Sequence, residues 1–397
     1  MRLSFRIIAI VFLECAAGIC VERGVFFFSR EHVGFSDVEN LALALATGAA
    51  FVVGAFSSHR LAGRLGEKAL LAAAVALQCL MHIGLVRWAY WPAGLFVGSA
   101  AVGLTGGLKW PVLESYVGAG RTPAQTARAL GNFNIAWAIS IPVALALFGP
   151  IIKLLPVGIF LLAAATNLAS LWLIRPLPAR PVHLPDDHPQ RPDPRQLAPL
   201  RSMLLASRWL MLAAFSSLYI LAPLLPGIFQ SLNVDTQAAP ALSGLQDAVR
   251  VGVFILMQRW VGWHNRAWPL AATMVVLPVS FFMILLGPNL PTVLVGEVVF
   301  GAVTGLAYYA ALYYALVVKN ASVNAGGIHE ALLGLSLVIG PGSGLLSKAL
   351  MPLTGNVLAG TLLGVAPLLI VCISQSVRAL RGISPLPVPE GHRGEVR

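Results

Sequence analysis

Long apolar segments recur along almost the whole chain and constrain its fold more than any other feature. Each has about 20 residues, enough for a helix rising 1.5 Å per residue to cross a hydrocarbon core of about 30 Å. Only 11% of the residues are charged and 57% are hydrophobic, too few polar side chains to cover a soluble domain. We count twelve such segments, at 5–28, 38–59, 68–88, 92–118, 127–149, 152–174, 207–230, 239–261, 268–287, 291–317, 323–348 and 355–378.

These segments should be helices, because lipid cannot satisfy an open backbone and the alternating pattern of a membrane barrel is absent. If the N-terminus is cytoplasmic, 20 of the 27 lysines and arginines fall at cytoplasmic ends or loops. That bias follows the positive-inside rule and places both termini inside. We therefore predict an all-α, multi-pass integral membrane protein with twelve transmembrane helices, in a bacterial inner (plasma) membrane.

A proline-rich polar stretch divides the apolar segments into two sets of six. Proline at this density favours an extended linker rather than a packed element. We predict a six-helix bundle at 1–175, a cytoplasmic linker at 176–206, a second six-helix bundle at 207–380 and a cytoplasmic tail at 381–397. A weak similarity between TGGLKWPVLESY, from Thr105, and TGLAYYAALYY, from Thr304, lays the fourth helix over the tenth, as a six-plus-six repeat requires.

The sequence shows no pattern typical of an enzyme or a cofactor site. Phosphate-binding glycine loops, nucleophile elbows and zinc spacings are all missing from the loops. The four cysteines are scattered over apolar segments and are expected to pack as small hydrophobic side chains. We therefore predict no cofactor and no metal, and an intramembrane enzyme would need a reactive constellation that the residues do not provide. The basic net charge is explained by topology, so no nucleic-acid partner is expected.

One short turn, SSHRLAGRLGEKALL at 57–71, concentrates the few charges between two apolar segments. It resembles the signature turn between the second and third helices of the major facilitator superfamily. Arg64, Gly66 and Lys68 match that signature, Gly63 replaces its aspartate, and Arg60 adds to the cytoplasmic positive charge.

The corresponding turn of the second half, QRWVGWHNRAW, keeps Arg259 and Gly262 in a comparable layout. The resemblance implies a secondary transporter in which two bundles surround a central cavity lined by the first, fourth, seventh and tenth helices. These turns would act as gating motifs. The missing carboxylate at Gly63 implies a weaker or altered latch, and it favours the alternative of a transporter-like sensor or assembly protein without flux.

Ionisable groups inside transmembrane helices are costly and therefore mark candidate sites. Glu14 and Lys109 lie ~4 Å and ~6 Å to the cytoplasmic side of their helix midpoints, on helices that the resemblance turns toward the cavity. We expect them to face one another or a shared water-filled space. A substrate or proton site and a buried structural ion pair remain equally open.

Glu22 and Arg23 lie toward the outer side of the first helix, and Glu14, Gly18 and Glu22 fall on one helical face by their spacing of four. The run ERGVFFF is also partly similar to a first-helix pattern of proton-coupled oligopeptide transporters, in which an acid and a base handle a proton and a substrate carboxylate. Peptide transport is therefore a minor alternative.

Two further segments carry candidates for the cavity wall. In the eighth helix, Arg250 follows Asp247 by three residues, which favours a self-neutralised pair. In the tenth helix, Tyr309 and Tyr313 are one turn apart and would stack on a sugar ring or hold a cation, with ordinary helix packing as the other interpretation.

The fifth and eleventh helices supply the remaining polar candidates. Asn132 and Asn134 offer amides for a neutral polar ligand, and His329 with Glu330 holds the corresponding place in the second half. A histidine titrates near neutral pH and is suited to proton coupling. Together with the resemblance, these residues predict transport of a small organic solute by alternating access, with a proton as the coupling ion of a symport.

Overall fold

The computed structural model describes residues 3–118, 121, 123–181, 194–318 and 323–381, and within these ranges the chain is almost entirely helical. The first helix, α1, joins Leu3–Ile19 to a π-helical turn Cys20–Gly24, a short α-helical piece Val25–Phe28 and a second π-helical turn Ser29–Val33. The helices that follow are α2 Asp37–Leu65, α3 Glu67–Trp88, α4 Pro92–Gly118, α5 Pro123–Leu154, α6 Gly158–Ile174, α7 Pro194–Ser231, α8 Ala239–Ser243 with Leu245–Arg259, α9 Trp268–Leu285, α10 Leu290–Val318, α11 Val323–Thr354 and α12 Val357–Arg381.

Ten helices of the described ranges are long and apolar enough to cross a membrane. A further apolar helix, Gly158–Ile174, is shorter. This agrees with an all-α, multi-pass membrane protein, whereas the full count of twelve spans stays a prediction.

The structure differs from the predicted linker at one end. Helix α7 begins at Pro194, so residues 194–206 are helical and the linker does not reach 206. Proline is favoured in the first turn of a helix, where its missing N–H costs nothing, and the residues that follow are good helix formers. Residues 182–193 and 382–397, which hold the rest of the linker and most of the predicted tail, lie outside the described ranges.

Short connections make successive helices antiparallel. Helices α1 and α2 are joined by three residues, and Ser36 and Glu39 form a reciprocal capping box at the start of α2. Gly66 alone joins α2 to α3, with a φ of +84° that glycine adopts at no steric cost. We call the end of the bundle at which α1 begins the terminal end, and the opposite end the far end.

The first six helices (the N-terminal half) meet the last six (the C-terminal half) mainly where α2 packs on α11 and α5 packs on α8. Glycines allow both approaches: a Cβ on Gly48 would collide with the carbonyl oxygen of Leu337, and one on Gly149 with that of Gln237. The backbones of the two halves therefore touch directly at these two places.

Candidate functional site: a charged cavity between the two halves

A cavity of about 120 Å³ lies between the two halves. Its wall combines charged side chains from α1, α8 and α11 with aromatic rings from both halves. The charged residues are Glu22, Arg23, Asp247, Arg250 and Glu330, and the aromatic ones are Phe51, Trp110, Phe133, Trp137, Phe215, Tyr219 and Tyr308. A small annex of about 20 Å³ shares Gly18 and Glu22 with this cavity and reaches Gln78 and Lys109.

Two arginines share one aspartate in the cavity wall, and we call Arg23, Asp247 and Arg250 the arginine cluster. Arg23 Nη1 lies 3.2 Å from one Asp247 carboxylate oxygen, and Arg250 Nη1 lies 2.8 Å from the other. Arg23 also donates to the carbonyl oxygen of Ser243 at 2.9 Å. All three side chains of the cluster are at most 4% exposed. The Asp247 and Arg250 pair expected from the sequence is present, but it is not self-contained, because Asp247 also joins α1 to α8 across the two halves.

The surroundings of the cluster leave part of its hydrogen-bonding capacity unused. Arg250 lies over the ring of Phe215 at 5.5 Å, and its Nη2 is 3.5 Å from the Thr304 hydroxyl. Within the described ranges, the Nε of Arg23 and the Nε of Arg250 have no hydrogen-bond partner. The nearby buried carboxylate of Glu297 accepts from the backbone N–H of Gln246 at 3.3 Å, and the described residues contain no ion pair between it and either arginine.

A second polar network is confined to the N-terminal half, and we call it the inner network. Glu14 and Lys109 are in contact, as the sequence predicts, with Lys109 Nζ 2.6 Å from Glu14 Oε2 and both side chains fully buried. Lys109 also donates to Gln78 Oε1 at 2.6 Å, and Asn167 Nδ2 donates to both Glu14 oxygens at 3.0 and 3.2 Å. His82 completes the network through a 2.8 Å contact between its Nδ1 and Asn167 Oδ1.

The expected stripe of Glu14, Gly18 and Glu22 is divided between these two environments. Gly18 and Glu22 line the cavity, whereas Glu14 belongs to the inner network. The division falls between Glu14 and Gly18, both in the regular α-helical part Leu3–Ile19, and the π-helical turn Cys20–Gly24 changes only the direction of Glu22. The π-helical turn could not be predicted from the residue spacing, because no proline or other simple sequence signal marks it.

A pair of carboxyl groups also connects the two halves. The carboxyl groups of Glu114 of α4 and Glu330 of α11 lie close enough to interact. Two ionised carboxylates repel one another at short distance, so a proton shared between them would be favourable. Glu330 was a candidate from the sequence and Glu114 was not, although the rule that singles out Glu14 applies equally to an acid inside the fourth apolar segment.

The remaining polar candidates lie at different distances from the cavity. Asn134 is buried behind its wall, where its Oδ1 accepts from Trp137 Nε1 at 3.0 Å and lies 3.5 Å from the Tyr308 hydroxyl. His329 is buried against Tyr308, with ring centroids 4.6 Å apart, and neither of its ring nitrogens has a partner within the described ranges. Asn132 is on the exposed surface of α5.

The tyrosine candidates are placed differently from the expectation. Tyr308, which was not singled out as a site residue, lines the cavity. Tyr309 and Tyr313 instead pack on Trp263 beyond the terminal end of α8, and Tyr313 stacks on His264 with ring centroids 4.2 Å apart. Adjacent residues on a helix point about 100° apart, so a shift of one position exchanges cavity lining for packing.

Polar contacts between the halves close the far end of the bundle. Asp37 of α2 accepts from Lys348 of α11 at 2.7 Å and from Arg30 of its own half at 2.9 Å. The other contacts join Arg30 Nε to Gln230 Oε1 at 2.8 Å, Lys153 Nζ to Asp235 Oδ2 at 2.9 Å and Thr236 Oγ1 to Glu31 Oε2 at 2.8 Å. The cavity therefore lies on the terminal side of a closed layer, and the arginine cluster stands between the cavity and that layer.

Comparison with known proteins agrees with this architecture. The family model of the Major Facilitator Superfamily matches residues 24–341, most of the chain. The chain belongs to the major facilitator superfamily. A search of curated proteins found no significant match.

Solved structures of major facilitator transporters share the fold at low sequence identity. A bacterial homologue of the human lysosomal transporter Spinster, inward-facing and unoccupied, aligns with a TM-score of 0.65 and 15% identity over 96% of this chain and 92% of that chain. Its inward-facing, occupied form gives 0.59 and 13% over 95% of each chain. A point mutant of the nucleoside transporter NupG gives 0.62 and 12% over 96% of this chain and 98% of that chain.

The signature turn of the superfamily lies at the terminal end, remote from the cavity. Lys68 Nζ donates to the carbonyl oxygen of Arg175 at 2.6 Å, and Lys68 N donates to that of Ala179 at 3.3 Å, so the turn rests on the chain that follows α6. Gly63 is exposed, and a Cβ there would meet no atom within 4 Å. The side chains of Arg60, Arg64 and Arg259 are exposed as well, and Gly262 lies against the ring of Trp260. A gating role for these residues stays a prediction.

Proposed function

We propose that this member of the major facilitator superfamily carries a small organic solute across a membrane by alternating access. The observation that carries the proposal is the cavity between the halves, with charged groups contributed by both of them. The polar contacts that join the halves at the far end are made by side chains, so they can break without unfolding either half. A rigid-body movement of one half against the other is the usual way for such an interface to switch.

The charge distribution along the sequence supports an assignment of sides. The terminal end carries the signature turn and most of the basic residues, which the positive-inside rule assigns to the cytoplasm. The far end then faces outward, and the structure has the arrangement expected of a state closed to the outside. Two structural neighbours that are inward-facing are in keeping with that assignment.

The carboxyl pair is the best-supported place for a coupling proton. Glu114 and Glu330 lie on different halves with their carboxyl groups close enough to interact, so a proton held by one of them would allow a hydrogen bond from one half to the other. Loss of that proton would leave two like charges side by side, which is unfavourable at short distance. Protonation would thus be linked to the approach of α4 and α11, and Glu330 also lines the cavity where the solute would bind.

The test is transport by the purified protein in proteoliposomes. Radiolabelled sugars, amino acids, peptides, nucleosides and aromatic carboxylates would be offered under an imposed proton gradient, with empty liposomes as the blank. We expect at least one solute to accumulate and a protonophore to abolish the accumulation. A folded protein that moves none of these solutes in either direction would contradict the proposal.

The variant Glu330→Gln distinguishes coupling to the proton gradient from movement of the solute itself. This variant keeps a hydrogen-bonding side chain but cannot release a proton, so we expect it to lose gradient-driven accumulation and to retain exchange of labelled for unlabelled solute. Asn132→Asp is the matched control, because it alters charge on the exposed surface of α5, away from the cavity. Solute binding without any flux would favour the alternative of a sensor or assembly protein.

A further inference from the structure

We propose that the arginine cluster is the anion subsite of the cavity, in which the carboxylate of an organic solute takes the place that Asp247 now occupies between Arg23 and Arg250. The inference rests on the proposed function and names the chemical class of its solute. Two guanidinium groups and one carboxylate line the cavity together, so the cluster carries one positive charge more than it carries negative charge.

The cluster has N–H donors that are not used in hydrogen bonds. The Nε groups of Arg23 and Arg250 have no partner within the described ranges, although both side chains are almost fully buried. A guanidinium presents five N–H groups and binds a carboxylate with two parallel hydrogen bonds, which makes an arginine pair a strong anion site. A solute carboxylate that displaces Asp247 would replace its ion pairs with the two arginines and could also use donors that now have no partner.

The wall beside the cluster indicates what the anion is attached to. The rings of Phe215, Tyr219 and Tyr308 line the same cavity, and Arg250 already lies over Phe215. Glu22 and Glu330 line the same cavity, so a solute with several negative charges would be repelled. These features together select an organic monocarboxylate with an aromatic or apolar body.

Exchange of the carboxylate would also affect the interface between the halves. Asp247 is the only ion-pair partner of Arg23 within the described ranges, and that contact joins α1 to α8. An anion bound to the two arginines would compete with Asp247 and weaken the contact, which lies next to the closed far end. Solute binding would therefore loosen the closed layer from within the cavity.

The test is binding of matched probe pairs to the full-length protein in detergent, by calorimetry. The probes are benzoate, phenylacetate and indole-3-acetate, each paired with its own amide, which has nearly the same shape and no charge. We expect at least one carboxylate to bind at least tenfold more tightly than its amide. Because Asp247→Asn removes the competing carboxylate and leaves both arginines in place, we expect that affinity to rise about tenfold further.

Two other variants distinguish exchange from a general charge effect. Glu22→Gln removes a cavity carboxylate that has no arginine ion pair within the described ranges, so it should raise the affinity by less than Asp247→Asn does. Arg250→Lys keeps the charge and loses the forked donor, so it should weaken carboxylate binding about tenfold.

The contradicting results are equally specific. Equal affinity for carboxylates and amides, or no carboxylate bound by either the wild type or Asp247→Asn, would overturn the subsite. An affinity lowered by Asp247→Asn in a protein that still melts cooperatively would do the same, and Arg250→Lys serves as the deciding variant if Asp247→Asn does not fold. Binding is measured without flux, so a bound carboxylate that is never transported would contradict the proposed function and leave the subsite standing.

Discussion

The inner network and the arginine cluster both depend on ion pairs, but the first lies within one half of the protein and the second joins the two halves. Both contain buried ion pairs, but Glu14 and Lys109 belong to one half, whereas Arg23 and Asp247 belong to different halves. Both also contain polar atoms without a partner within the described ranges, on Gln78 and His82 in the inner network and on the two arginines in the cluster. The difference therefore lies in placement: a network within one half holds that half together, whereas a contact between the halves can break when they move apart.

The largest effect should come from breaking the inner network. Lys109→Met leaves the fully buried Glu14 carboxylate without its counter-charge, which costs about 3–5 kcal/mol of stability in comparable buried pairs. We expect a large drop in the unfolding temperature of the detergent-solubilised protein. The double variant Glu14→Gln with Lys109→Met removes both charges and should recover most of it, and an unchanged unfolding temperature in the single variant would show that the network is not structural.

Breaking the arginine cluster should lower the unfolding temperature less, and it should act mainly on the opening of the far end. Asp247→Asn removes a charge-assisted contact between the halves, and such hydrogen bonds contribute about 1.5–3 kcal/mol. Its expected consequence is a shift of at least tenfold toward states open at the far end, since about 1.4 kcal/mol corresponds to a factor of ten. The unfolding temperature should fall less than in Lys109→Met, because the freed arginines face a cavity. A fall as large as in Lys109→Met, with no change in the opening of the far end, would remove the distinction between the two networks.

The ion pairs of Asp37 at the far end are more exposed than the arginine cluster, and breaking them should have a smaller effect. Asp37 accepts from Arg30 and Lys348, and these three side chains are 26–28% exposed. Solvent screening limits such contacts to about 0.2–1 kcal/mol each, so Asp37→Asn should shift the far-end equilibrium in the same direction as Asp247→Asn but only a few-fold. The readout is the distance between spin labels at the exposed residues Leu155 and Leu353 of the two halves. A shift larger than that of Asp247→Asn would place the main closure here instead.

The smallest effect concerns the exposed pair of Lys153 and Asp235. The backbone N–H of Gln237, and then Lys153, donate to Asp235 and hold the pKa of its carboxyl below its usual value. A carboxyl with a lowered pKa stabilises the folded protein above its unfolded pKa, and that contribution is lost as the pH falls through the folded pKa. The difference in unfolding temperature between wild type and Asp235→Asn should therefore be small near pH 7 and shrink as the pH falls below the ordinary aspartate pKa of about 3.9, and a difference that grows on acidification would contradict the assignment.

Much of the fold was predictable because the membrane restricts the possible solutions. Apolar segments of about 20 residues define helices without reference to tertiary contacts, and the signature turn around Arg64 and Gly66 indicated the superfamily. The start of α7 was not predicted correctly. A dense run of prolines favours extended chain on average, yet Pro194 begins a helix because its position in the first turn is the one that tolerates proline.

Contacts of the site were predictable where the cost of burying a charge requires a partner. They were not predictable where the rotation of a helix decides which side chain faces the cavity. Glu14 and Lys109 were expected to meet, since a buried charge needs a partner, and they do. The direction of Glu22 depends on a π-helical turn, and the choice between Tyr308 and Tyr309 depends on the rotation of α10. Partners on different halves, such as Arg23 and Asp247, are far apart in the sequence, so no local sequence pattern predicts their contact.

The central claim is that the arginine cluster, and not the inner network, controls closure of the far end. The most direct measurement is the distance between spin labels at Leu155 and Leu353, exposed positions near the far end on different halves, with the four buried native cysteines replaced. In lipid nanodiscs, Asp247→Asn should increase the long-distance population by at least tenfold, whereas Glu14→Gln with Lys109→Met should leave it as in the wild type. Identical distances in Asp247→Asn and wild type, or an equal shift in the double variant, would contradict the account.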